Sequence, residues 1–237
     1  MNTFSISEII DETIDFFKQH YEYILPFSLF YTILSVLLTF IPAGTNLVIQ
    51  LLILPLGFSY PFFAHRYEQL KVKSFKYFFE VYNYFFKYFG AKIISGIIIL
   101  ILLSPILINM YELLGNYDND MQKLMQAYIE HKIKLPDNLA LPMLICPLLL
   151  IFSLPFILYI EYIAIIDNYN LIDALKQSYN IGFRFYTKIF TILLLSFVAT
   201  FAGLLTLGFG FIVILPFIYL LHYFSYKKIS QLAGINS

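Results

Sequence analysis

Residues 24–64 have the sequence ILPFSLFYTILSVLLTFIPAGTNLVIQLLILPLGFSYPFFA and contain no charged side chain. One helix of that length would measure about 60 Å, whereas the hydrocarbon core of a bilayer is about 30 Å thick. Pro42, Gly44 and Asn46 near the middle favour a turn. The stretch therefore predicts a helical hairpin, with one membrane span at Tyr23–Ile41 and a second at Leu47–Ala64.

The composition of the whole chain agrees with this hairpin. Of its 237 residues, 60% are hydrophobic and 13% are charged, and its mean hydropathy is +0.77. Soluble domains carry about 25% charged residues. We therefore predict an all-α, polytopic integral membrane protein in which residues 1–237 form a single transmembrane domain.

Three further apolar stretches predict the remaining spans. The run 189–224 is again too long for one helix and contains Gly208 and Gly210, which favour a break at 207–210. Six spans result, of which the last is short, so five spans and a re-entrant segment form the alternative. The four spans of this part of the chain are Lys92–Met110, Leu139–Ile160, Ile189–Thr206 and Phe211–Phe224.

The basic residues predict an orientation. If the N-terminus lies inside, the inner segments hold twelve of the fifteen lysines and arginines, and only Lys123, Lys132 and Lys134 lie outside. Short cytoplasmic loops are enriched in basic residues. We therefore expect both termini in the cytoplasm of a bacterial cell, with the chain in its inner (plasma) membrane. Residues 1–20 are acidic and amphipathic rather than signal-like, so we expect the N-terminus to be retained.

A threefold internal repeat is predicted from amphipathic segments at 5–24, 74–93 and 171–190. In each, an aromatic–basic pair precedes a span. Counting back five residues from the basic residue aligns Thr13, Tyr82 and Tyr179. The fold would then consist of three hairpins, each preceded by an amphipathic interfacial helix, with repeats at about 5–64, 74–166 and 170–226 and an outer insert at 111–138.

The amphipathic segments supply candidate contacts to lipid or to a partner. Aromatic residues of 74–93 recur at helical spacing and predict one continuous stripe. Such a stripe can rest in the membrane interface or pack on the protein's own spans, and the sequence leaves both alternatives open. The candidate contacts are Phe78, Phe85, Phe86, Lys18, Lys87 and Arg184.

A second group of candidates is polar. Glu161 lies six residues after Pro155, and His222 lies six residues after Pro216, so the repeat places them at equivalent depths near His65 and Arg66. Ionisable residues at membrane depth are functional candidates. They could form one inner cluster for proton coupling or headgroup binding, or each could reach water at the interface.

Other classes of site have no support in the sequence. Fifteen basic residues balance fifteen acidic ones, which gives no reason to expect a nucleic-acid partner. Cys146 is the single cysteine, and the four histidines lack the spacing of metal ligands. Nucleophile, P-loop and zinc-protease motifs are absent. We therefore expect no enzyme activity and no cofactor.

Two stretches resemble a known group of proteins. ISEIIDETIDFFKQHY (6–21) and NLIDALKQSYNIGFRFYTKIF (170–190) are similar to segments of bacterial polytopic membrane proteins that include the membrane domain of glycerophosphoryl diester phosphodiesterases. The resemblance implies a helical membrane module. It does not imply phosphodiesterase chemistry, because the chain has no room for the catalytic barrel of those enzymes.

Two functions follow as hypotheses. The first is a non-enzymatic accessory or scaffold subunit that contacts the lipid bilayer and, as further partners, other membrane proteins or a second copy of itself. The alternative is a small transporter or channel for a lipid-like or hydrophobic substrate, with Glu161, His65 and His222 near its pathway.

Overall fold

A computed structural model describes residues 4–40, 49–115, 120, 122, 126, 140–206 and 209–235, and this part of the chain contains helices and no strand. The predicted turn at 42–46 and most of the insert 111–138 lie outside the described residues. Two compact units are present, one formed by residues 1–92 and 155–237 and one by residues 93–154. The α-helices are α1 (Ile6–Thr39), α2 (Ser59–Leu70), α3 (Phe85–Gly115), α4 (Ala140–Ile157), α5 (Ile160–Ile165), α6 (Leu171–Arg184), α7 (Tyr186–Leu205) and α8 (Phe211–Ala233).

Five helical stretches within the described residues are long and apolar enough to cross a membrane. The helical class of the prediction is therefore confirmed for the described residues, and the five candidate spans are consistent with a multi-pass membrane protein. The stretches overlap five of the six predicted spans. The predicted span Leu47–Ala64 is not among them, and its first two residues lie outside the described part of the chain. They are Ile6–Leu38, Phe75–Gly115, Leu141–Ile165, Tyr186–Leu205 and Phe211–Ala233.

Residues 55–64 of the predicted second span are buried inside the protein. Residues 49–53 are helical, a 3-10 turn covers Leu54–Phe58, and α2 follows. Pro55 lacks an N–H group, which disfavours a continuous α-helix here. Every residue from Pro55 to Ala64 is buried, and a segment that is apolar on all sides belongs either in a protein core or in a membrane span.

Helix α1 joins the first amphipathic segment to the first span without a break. Its capping box is formed by Ser5 and Glu8, as the sequence pattern S-x-x-E predicts. α1 packs along α8, and the Ser28 hydroxyl donates to the Ile212 carbonyl at 2.5 Å. The first copy therefore has no separate surface helix, because the same helix axis continues from residue 6 into the membrane span.

The second amphipathic segment differs from the predicted helix. Two 3-10 turns occupy Phe75–Phe78 and Glu80–Tyr84 before α3 begins. The Phe78 ring stacks on Phe27 and Phe63 at centroid distances of 4.2 and 4.5 Å, and its carbonyl accepts from the Ser59 hydroxyl at 2.5 Å. These tertiary contacts replace the hydrogen bond that a continuous α-helix would make at this carbonyl.

The third amphipathic segment is the separate helix α6. The Asn170 side chain caps it by accepting from the Asp173 N–H at 2.9 Å, and a turn at Phe185 separates it from α7. Aligning the N-caps of α1 and α6 places Thr13 opposite Ser178 rather than Tyr179. Both hydroxyl residues are buried, as are the residues four positions earlier, Ile9 and Ala174.

The smaller unit, residues 93–154, contains most of α3 and the first fifteen residues of α4. Its surface is rich in large exposed apolar side chains, which is typical of a surface solvated by lipid. Cys146 is buried. The exposed apolar residues include Ile97, Leu100, Ile101, Leu107, Ile108, Leu141, Leu144, Leu148 and Phe152.

Candidate functional site

Two of the polar residues singled out from the sequence lie near the same lysine. The Lys92 ammonium pairs with the Glu161 carboxylate at 2.7 Å, and the Glu161 side chain is only 14% exposed. The His222 Nε2 atom lies 2.9 Å from the Ser196 hydroxyl, and Lys92 is close enough to His222 to act on it electrostatically. Lys92 therefore contacts Glu161 directly, and His222 has its hydrogen-bond partner in Ser196.

Tyrosine rings lie near this group. The Lys92 ammonium lies over the Tyr88 ring at 5.2 Å. The rings of Tyr219 and Tyr60 stack at 5.8 Å. Glu161 is nearly buried while the Lys92 side chain is 41% exposed, so the pair compensates a carboxylate that would be costly to bury alone.

Arg66 and His65 have other surroundings. The Arg66 guanidinium pairs with Glu80 at 3.1 Å and lies over the Phe62 ring at 5.3 Å. His65 lines a cavity of about 620 Å³ between α2, the turn after α5 and the last turns of α8. The four predicted residues thus occupy three places rather than one.

The cavity beside His65 has a mixed polar lining. Glu68 accepts from the Tyr223 hydroxyl at 2.7 Å and from the Lys227 ammonium at 2.5 Å, while Asp167 accepts from the Tyr226 hydroxyl. The remaining lining residues are Gln69, Ile166, Tyr169, Gln231 and Ile235.

Burial changes the proton affinity of two groups in this lining. It lowers the pKa of His65, and the positive charge of Arg66 lowers it further, against a smaller opposing effect of Glu68. Burial raises the pKa of the Asp167 carboxyl, which the hydrogen bond from Tyr226 opposes. Both effects arise because desolvation disfavours the charged form of each group.

The N-terminal half of α1 presents an acidic face. Glu12 pairs with Lys227 at 3.8 Å and with Lys228 at 4.0 Å. An open cleft beside this face is lined by Glu8, Asp11, Glu12, Asp15, Phe16, Gln19, Glu68 and Phe224.

The six residues predicted to contact lipid or a partner lie in different environments. Phe78 is fully buried, so its prediction as a lipid or partner contact is wrong, because the ring belongs to the aromatic core. Phe86 is 85% exposed and Phe85 is half-buried. The Lys87 ammonium is turned toward the protein, where it donates to the Asn168 backbone and side chain. Lys18 and Arg184 are exposed.

Helix α6 has two sharply different faces. Its buried face consists of Ala174, Ser178, Ile181 and Gly182. Its exposed face carries large apolar side chains beside two exposed basic residues, Lys176 and Arg184. The apolar side chains are Ile172 (66% exposed), Tyr179 (56%) and Phe183 (76%).

Close contacts hold the buried face of α6 on the body of the larger unit. The Ser178 hydroxyl donates to the Phe156 carbonyl at 2.8 Å. A Cβ atom added at Gly182 would lie 2.8 Å from both the Phe156 Cα atom and the Pro155 carbonyl oxygen. Only glycine allows the two backbones to approach this closely.

Several of these residues were not predicted from the sequence. Lys92 stands at the start of a predicted span, and a charge beside an apolar run is itself a signal for a buried partner. Glu68, Asp167 and Gly182 depend on contacts between segments far apart in the chain, for which a single sequence gives no signal.

The described residues hold no group of three or more histidine, cysteine, aspartate or glutamate side chains that could bind a metal ion. No protein-family model, curated protein or solved structure matches this chain.

Proposed function

We propose that this chain is a non-enzymatic integral membrane module, of the accessory or scaffold kind, that binds anionic lipid headgroups through helix α6. The observation that carries the proposal is the exposed face of α6, which combines apolar and basic side chains on a helix fixed to the protein. Six spans, cytoplasmic termini and the plasma membrane complete the proposal.

The apolar part of the α6 face suits the boundary between headgroups and acyl chains. Ile172, Tyr179 and Phe183 occupy positions seven and four residues apart, which places them along one side of the helix. On a surface that faces water, three large apolar side chains along one side of a helix would not be stabilising. In an interface their burial would be favourable, at about 25 cal/mol for each Å² removed from water.

The basic part of the face adds selectivity for anionic lipid. Each lysine or arginine near an anionic surface contributes about 1 kcal/mol at physiological ionic strength. Arg184 lies over the Phe185 ring at 5.2 Å, and the Lys176 ammonium is 70% exposed beside Asp173 at 3.6 Å. The predicted orientation, with twelve basic residues inside, would place both in the cytoplasmic leaflet.

The test is the selectivity of the purified full chain for phosphatidylglycerol over phosphatidylcholine in mixed vesicles, measured with spin-labelled lipids. The double variant Lys176→Gln/Arg184→Gln should lose about 2 kcal/mol of preference for the anionic lipid. Lys18→Gln is the matched control, because Lys18 is exposed on α1 among acidic residues. Equal selectivity in the wild type and the double variant would refute the proposal.

The ion pair Lys92–Glu161 favours a second candidate function, a small transporter for a hydrophobic or lipid-like substrate. Ionisable residues within membrane helices mark substrate or proton pathways in many transporters. Tyr88, whose ring lies 5.2 Å from the Lys92 ammonium, and the hydrogen-bonded pair His222 and Ser196 supply polar groups that such a pathway needs.

Flux into proteoliposomes distinguishes the second function from the first. Transport that is lost in Glu161→Gln and retained in Glu22→Gln would support it, because Glu22 pairs with Lys73 at the exposed surface. Lipid selectivity without flux of any lipid-like substrate would leave the scaffold function alone.

A further inference from the structure

The loop between α2 and α3, residues 70–79, presents both apolar and basic side chains at the protein surface. Exposed lysines stand at positions 71, 73 and 76. The loop therefore combines the two kinds of side chain that favour contact with an anionic membrane surface. Its exposed large apolar residues are Leu70 (52%), Val72 (55%), Phe75 (40%) and Phe79 (39%).

Contacts with α1 position this loop. The Lys73 ammonium donates to the Gln19 carbonyl at 3.1 Å and pairs with the Glu22 carboxylate at 3.1 Å. Farther along the loop, the Phe79 ring contacts the Phe30 ring at a centroid distance of 6.2 Å. The axis of α1 rises about 12 Å from Glu22 to Phe30, so the loop lies beside this length of the helix.

The surface of α1 changes its character along the same length. Glu22 is the last charged residue of the helix, and all exposed residues that the structure describes beyond it in α1 are apolar. A change from charged to apolar surface along a membrane helix marks the boundary between water and hydrocarbon. The loop therefore lies at this boundary, with Lys73 at its charged end and Phe79 at its apolar end. The exposed apolar residues of α1 are Pro26, Leu29, Phe30, Ile33, Val36 and Leu37.

The charges around the loop favour an anionic leaflet. Arg66 and Lys76 share one carboxylate, that of Glu80, at 3.1 and 3.8 Å. Lys73 has its carboxylate in α1, and Lys71 makes no ion pair in the part of the chain that the structure describes. These four basic side chains have two carboxylate partners between them, which leaves two positive charges to attract anions.

We propose that the 70–79 loop is a second membrane-contact site of this protein. Val72, Phe75 and Phe79 enter the interface of the leaflet, and Lys71 and Lys76 bind the phosphates of anionic lipids there. A membrane fits this surface better than a soluble partner does, because the exposed rings of the loop continue the apolar surface of α1. The proposal rests on the membrane location of α1 and not on the proposed role of α6.

A tryptophan at position 72 tests the depth of the loop, because the chain contains no tryptophan of its own. Val72→Trp in the full chain, reconstituted in vesicles, should lose emission when the lipid carries bromine near the top of its acyl chains. Asp11→Trp is the matched control and should keep its emission, since Asp11 is exposed on the acidic face of α1. Equal emission of the two variants, expected if the loop faces water or docks a soluble protein, would overturn the proposal.

Bromine carried by one lipid at a time tests the role of the lysines. In equal mixtures of phosphatidylglycerol and phosphatidylcholine, brominated phosphatidylglycerol should quench Val72→Trp more strongly than brominated phosphatidylcholine. Adding Lys71→Gln/Lys76→Gln should remove this difference, and the fold should be retained because both lysines are exposed. A difference that stays unchanged in this variant would overturn the assignment of the lysines.

Substitutions in α6 separate this site from the proposed function. Lys176→Gln/Arg184→Gln, introduced into Val72→Trp, should leave the stronger quenching by brominated phosphatidylglycerol intact. If this variant also leaves the overall lipid selectivity intact, the α6 proposal fails and the loop site stands. Loss of the stronger quenching in the α6 variant, with its retention in Lys71→Gln/Lys76→Gln, would assign the anionic lipid to α6 and overturn the loop site.

Discussion

The N-terminal half of α1 and helix α6 start in the same way and end in different environments. Each begins with a capped first turn that includes an acidic residue, and each buries residues at the fourth and eighth positions after its cap. The exposed face of α1, however, carries charged side chains that suit water. The exposed face of α6 carries three large apolar side chains and two basic ones.

This difference shows that an amphipathic pattern does not by itself specify a membrane surface. Both helices have a buried face that packs on the protein, and the opposite face decides what each can contact. Glu8, Asp11 and Asp15 would be repelled by an anionic leaflet, whereas Lys176 and Arg184 would be attracted to it. We therefore propose lipid contact for α6 and not for the start of α1.

The largest expected effect comes from disturbing the packing of α6 on the rest of the larger unit. Gly182→Ala should destabilise the protein by about 2 kcal/mol, because the new methyl group meets backbone atoms and overpacking costs roughly 1–3 kcal/mol. Thermal unfolding and faster tryptic cleavage after Arg184 would report it. Gly96→Ala is the control, since a Cβ atom there meets nothing within 4 Å. Equal behaviour of the two variants would contradict the close approach.

A smaller loss of stability is expected from removing either of the two buried hydroxyls, Ser178 or Thr13, and the two losses should differ. Ser178→Ala should cost about 1 kcal/mol, because the Phe156 carbonyl of another segment loses its donor. Thr13→Val should cost less, since the Thr13 hydroxyl donates at 2.7 Å to Ile9 within the same helix, where this carbonyl also has its backbone partner. Chemical unfolding of both variants measures the difference, and a larger loss in Thr13→Val would reverse the comparison.

The smallest expected difference in stability is that between variants of the two N-caps, Asn170 and Ser5. Asn170→Ala should cost about 1 kcal/mol, a typical value for an N-cap. Ser5→Ala should cost less, because the Glu8 N–H lies 3.4 Å from the Ser5 hydroxyl, compared with 2.9 Å at Asn170. Thermal unfolding of the two variants under identical conditions provides the check, and equal losses would remove this distinction.

The parts of the fold that could be predicted are those that depend on local physics. Long uncharged runs predicted five of the candidate spans, and the amphipathic segment predicted at 171–190 contains the helix α6. The turn before α8 followed from glycine in an otherwise apolar run. In each case a bilayer or a hydrogen bond within a few residues imposes the pattern.

The parts that could not be predicted depend on contacts between distant segments. Phe78 has the spacing of a surface stripe, but Phe27 and Phe63 enclose it. Lys92 and Glu161 are 69 residues apart, so their pairing has no local signature. Aligning the basic residues pairs Thr13 with Tyr179. Aligning the N-caps Ser5 and Asn170 shifts the register by one position and pairs Thr13 with Ser178 instead.

The depth of the α6 face in a bilayer tests the central claim most directly. Nitroxide labels at Phe183→Cys and at Asp15→Cys, in a Cys146→Ala background, report depth through collision with oxygen and with a water-soluble nickel complex. We predict that the label at position 183 lies in the interface, shielded from nickel, while the label at position 15 is fully accessible to it. Equal nickel accessibility at both positions would contradict the account.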